Sequence, residues 1–160
     1  MRGYAGERYL SFMKTPDEIR TELSDARKKV LTVIEATPEG NWKKLPSNGP
    51  DEWNIQQVVE HIIDVEIILT TRVCKSCGYP GPESPFSDKG PQCPTRESAI
   101  EAFNMAVEVS NSKIKYVTET DLAIERPGET HATVGAVMER WIGHIHEHLD
   151  QIAAFEPINE

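Results

Sequence analysis

Apolar residues recur at helical spacing in four stretches of this chain. Ile19, Leu23, Ala26, Val30, Val33 and Ile34 mark a first helix over about 17–36. Ile55, Val58, Val59, Ile62, Val65, Leu69 and Val73 mark a second over about 54–73. A narrower stripe of Ile100, Phe103, Val107, Ser110, Ile114 and Val117 predicts a third over about 96–118. The fourth, about 133–155, carries Trp141, Ile145, His148 and Ile152 on one stripe, with Val137, His144 and Phe155 at its edge. Alternating strand patterns are almost absent. Four amphipathic helices without strands predict an all-α fold, a four-helix bundle.

The boundaries have local signals. Thr15-Pro16-Asp17-Glu18 reads as an N-cap, a first-turn proline and a capping box. Asn54 caps the second helix with Gln57, and Trp53 with Val58 makes a hydrophobic staple. Trp42 and Leu45, in the loop between these helices, are expected to plug one end of the bundle. Residues 74–94 hold five prolines, three glycines and all three cysteines. So long a connection predicts a crossover, with the second and third helices parallel. Residues 1–14 have no clear pattern and read as a tail; 15–160 read as one domain. Ile63 and Ile67 lie outside the main stripe of the second helix, which predicts a partner helix and a homodimer.

Composition narrows the function. The chain has 160 residues, 38% hydrophobic and 27% charged, as in a globular domain. A formal charge of −9 and a pI near 5.1 argue against nucleic acid and anionic membrane surfaces as partners. No apolar run is long enough to span a membrane, and the first residues lack the apolar core of a signal peptide. The expected location is the cytoplasm, where three cysteines are thiols or ligands rather than a disulfide framework.

Three of the five histidines lie at 144, 146 and 148. On a helix His144 and His148 share a face, and His146 points away. An i, i+4 histidine pair is a metal-binding geometry, although two core-edge histidines bonded to neighbours make the same pattern. A third histidine on a facing helix changes the balance, and His61 lies in the apolar second helix. His61, His144 and His148 meet if the second and fourth helices run antiparallel. Three neutral imidazoles leave a position open for a small-molecule substrate. Glu66, in the middle of a buried stripe, is either a packed glutamate or the acid of the pocket; Glu60 is a second carboxylate candidate. Gln151 shares nearly the face of His144 and is a candidate to orient a ligand or a histidine. His131 lies in a loop that borders the pocket or the surface. Cys74-x2-Cys77 with Cys93 offers three ligands for a structural zinc, with no obvious fourth.

Trp53 eight residues before His61, and the terminal His144-x3-His148-x2-Gln151-Ile152, resemble the DinB/YfiT-like family over roughly residues 15–156. The resemblance implies a bundle with a long crossover between helices two and three, often dimeric, holding one divalent metal such as zinc or nickel. The matching ligands are His61, His144 and His148. Relatives include S-transferases and isomerases that use a low-molecular-weight thiol such as bacillithiol or mycothiol, and metal-dependent hydrolases. A non-catalytic, metal- or ligand-binding dimeric bundle is the alternative. The cysteines and the proline-rich crossover depart from the family pattern.

Overall fold

The structure is a computed structural model that describes residues 14–49 and 51–159. The expected tail lies outside these residues, except for Lys14. Four long helices form the bundle: α1 (Pro16–Ala36), α2 (Ile55–Cys77), α3 (Arg96–Ile114) and, after a single turn α4 (Glu119–Leu122), α5 (Val134–Ala153). Among the described residues there is no strand. Two isolated bridges, Pro46 with Pro157 and Glu125 with Thr133, tie loops together.

Cross-links set the directions. Cys93, just before α3, bonds to Glu60 early in α2, and Thr70 later in α2 bonds to Ser110 later in α3. These helices are therefore parallel, and residues 78–95 form the crossover. Against α5 the order reverses: His61 meets His144, while Ser76 meets Arg126, before α5 begins. That antiparallel packing is what the histidines require.

The caps explain where helices begin and end. Asn54 accepts from Gln57 N–H at 2.9 Å, and Gln57 returns a bond to Asn54 N–H at 2.9 Å. Thr15 accepts from Glu18 N–H at 3.2 Å, one half of the expected box. α2 runs past the expected end at 73, so Cys74 and Cys77 sit on its last turn instead of in the crossover. It stops at Gly78, whose φ of 74° suits a residue without a Cβ. α3 stops at Ile114, short of 118, because Thr118 is already the N-cap of α4. Replacing Asn54 with alanine removes a partner of the α2 first turn; urea unfolding should show a loss of about 1 kcal/mol.

The core lies between the four long helices. Leu23, Ile34, Ile62, Phe103, Trp141 and Ile145 are all buried there. Each such aliphatic or phenyl side chain contributes roughly 1.5–3 kcal/mol. Two sequence expectations change. Ile63 and Ile67, read as a flank for a partner chain, are 0% and 7% exposed within this chain. α2 packs against both α3 and α5, so it needs more than one apolar face. The argument for a dimer from that flank is therefore lost. Trp42 does plug the bundle, donating from Nε1 to the Cys93 carbonyl at 2.9 Å, but Leu45 is exposed. No described helix is long and apolar enough to cross a membrane.

Candidate metal centre

His61 lies in the second turn of α2, whose register is fixed by the Asn54 cap. His144 and His148 are one turn apart near the end of α5. Antiparallel packing brings the three rings together. His144 Nε2 lies 3.1 Å from His61 Nε2 and 3.0 Å from His148 Nε2. One ligand atom from each histidine lies within 4.8 Å of the others, so the group could hold a metal ion. His146 is not part of it, as its phase on the helix requires.

The donor chemistry fits a cation. Each Nε2 carries either one in-plane lone pair or one N–H, so His144 Nε2 cannot make good hydrogen bonds to both neighbours at once. Gln151 Oε1 accepts from His148 Nδ1 at 2.8 Å. That places the His148 proton on Nδ1 and leaves the Nε2 lone pair facing the cluster. Ligands about 2.0–2.1 Å from a tetrahedral zinc sit roughly 3.3 Å from one another, close to the spacing here. His144 Nδ1 is buried without a hydrogen-bond partner. It carries the ring proton when Nε2 offers its lone pair, so aiming Nε2 inward costs that N–H its solvation.

The electrostatics keep two of the rings neutral. Burial pushes His144 down to about 4, helped by His148, His61 and Arg140, while Glu147 opposes. Burial also lowers His61, aided by His148 and opposed by Asp64. A neutral imidazole is the form that binds metal.

Trp53, the residue expected to staple onto Val58, also reaches the histidines. Its ring lies 5.0 Å from that of His61, and 6.4 Å from that of His148 at an angle of only 22°. The sequence signal was the Trp-x7-His spacing: a residue just before the cap of α2 overhangs the helix's first turns. Trp53 and Gln151 are also in the wall of a cavity of 260 Å³, which no histidine lines.

The structure does not bring the other candidates here. Glu66 is completely buried, and Arg27 holds both its oxygens, Nε at 3.1 Å and Nη2 at 2.6 Å. Of its two readings, packed glutamate or pocket acid, the buried ion pair favours the first. Glu60 Oε1 accepts from Cys93 N–H and from Gln56 Nε2, both at 2.8 Å, and so fastens the crossover to α2. His131 lines a separate cavity of 650 Å³ with Arg72, Lys75 and Arg126, beside the late turns of α2. The three cysteines are free, and among the described residues the histidines are the only metal-capable group. Burial raises the Cys74 thiol and pushes Cys77 and Cys93 to about 11, so all three stay protonated.

Comparison with curated proteins gave no match, and neither did comparison with solved structures. A family model described as the DinB superfamily matches residues 22–152. That span runs from α1 to the end of α5 and contains all three histidines. With the crossover bundle and the histidine cluster, it places the chain in the DinB superfamily.

Proposed function

We propose that this chain is a metalloenzyme, a low-molecular-weight-thiol-dependent S-transferase, with His61, His144 and His148 holding one divalent ion, zinc or nickel. The observation that carries the reading is the convergence of the three histidine rings, with His144 Nε2 within 3.1 Å of the Nε2 of both neighbours. Three protein ligands suit a catalytic site, whereas a structural zinc is closed by four. The ion supplies a Lewis acid that favours the thiolate form of a thiol cofactor. Gln151 holds His148 in the tautomer with its Nε2 lone pair inward. Trp53 covers one side of the rings and limits the water around them. A hydrolase is the less favoured reading, because it needs a carboxylate free to act as a base. Glu66 and Glu60 are both committed elsewhere. Residues 15–160 would work as a single domain, and three free thiols suit a reducing cytoplasm.

The test is metal analysis of the purified protein, followed by conjugation assays with a general electrophile and a panel of small thiols. The expected result is one ion per chain and conjugation that stops on chelation and returns with the metal. Electrophile turnover by the loaded protein that is independent of any thiol would favour the hydrolase. A protein that takes up no metal would sink both readings.

A further inference from the structure

The cavity that Trp53 and Gln151 share has further walls that the reading above does not use. Trp53, Val58, Ile152 and Phe155 give it apolar surface, and two exposed glutamates, Glu52 and Glu156, complete the lining on its solvent side. Neither carboxylate is in an ion pair among the described residues, and no described lining residue is Lys, Arg or His. The walls are tied together. Ser47 N–H donates to the Glu156 carbonyl at 2.9 Å, and Pro46 bridges Pro157. A cavity of about 150 Å³ already accepts benzene. The 260 Å³ here therefore holds one ring with a substituent.

We propose that this cavity is the substrate subsite and that it selects a small organic cation: an ammonium group on an apolar body about the size of one ring. The apolar body lies on Val58, Ile152 and Phe155. The cationic head meets the face of Trp53, the kind of surface that attracts ammonium groups, and the field of the two carboxylates. An anionic substrate of the same size meets only repulsion there. The inference rests on the metal-centre reading for its claim that the bound molecule lies next to a reacting centre. The selectivity stands on the cavity alone.

The probes are benzyltrimethylammonium, whose nitrogen has no lone pair for a metal, and benzenesulfonate. Each is titrated into the purified full chain at low salt, with metal content measured on the same samples. Tryptophan fluorescence reports binding, since Trp53 is 41% exposed while Trp42 and Trp141 are buried. The cation should bind at least about tenfold more tightly than the anion. The double variant E52Q/E156Q should bring the two within roughly threefold of each other. Trp53→Phe should remove most of the fluorescence change, and circular dichroism confirms that the variants fold. Equal affinities in the original protein, or a preference that survives the double variant, overturn the proposal. Metal without cation preference defeats this proposal alone; cation preference without metal defeats the metal-centre reading and leaves the selectivity standing.

Discussion

Arg27→Ala should destabilise the fold by about 3–5 kcal/mol, measured by urea unfolding, because it leaves a buried carboxylate without its counter-ion. Arg27 is 5% exposed and Glu66 0%. The guanidinium also donates to Ser110 Oγ at 3.0 Å and Asn111 Oδ1 at 2.7 Å, and it lies 5.3 Å from the Trp141 ring centroid. One side chain from α1 thus touches α2, α3 and α5. Burial pushes the Glu66 carboxyl up, and the facing guanidinium pulls it back down. Without Arg27 burial loses its main opposition, and Glu66 takes up a proton or the bundle opens. The double variant Arg27→Met with Glu66→Leu should recover most of the loss, since filling the space with apolar side chains removes both desolvation penalties. It should also keep its metal, because Glu66 is not in the histidine group. A loss below about 1 kcal/mol for Arg27→Ala would place the pair with weak, solvent-screened bridges and refute its structural role.

His144→Ala should bring metal content to background, read by elemental analysis after dialysis. Its Nε2 is the central one of the three, within hydrogen-bond distance of both others. Gln151→Ala should weaken metal binding by roughly 10–100-fold while leaving all three ligands in place, since it frees the His148 ring to turn. His146→Ala should change nothing. Retention of full metal by His144→Ala would refute the assignment of the site.

The same cluster sets a pH dependence. With His144 held near 4, the unfolded chain binds the extra proton first as pH falls. The metal-free fold therefore loses stability between the ordinary histidine value of about 6.5 and about 4, and gains it as pH rises through that window. His61, also lowered, acts in the same direction. Thermal unfolding of the chelated protein across that range checks the sign. A Tm that rises on acidification would contradict it.

Much of this was legible because it is local. The 3.6-residue period located all four long helices, and the Asn54–Gln57 box fixed the start of α2. The i, i+4 spacing alone put His144 and His148 on one face and His146 off it. The place of His61 in a second apolar helix made it the candidate partner, and the family resemblance matched the same three residues. Other features depended on what lies opposite a face, which a period cannot reveal. Glu66 read either as a packed glutamate or as a pocket acid until α1 supplied Arg27, thirty-nine positions away in the chain. Ile63 and Ile67 looked like a free flank until α2 proved to be packed on more than one side. The cysteines left open free thiols or a zinc set without a fourth ligand; the helix carries Cys74 and Cys77 to one end of α2 while Cys93 is fastened to Glu60 near the other. Periodicity decides which residues share a face, because backbone geometry repeats. Which face meets which is decided by burial and pairing summed over the whole bundle, and that sum exists only in the tertiary structure.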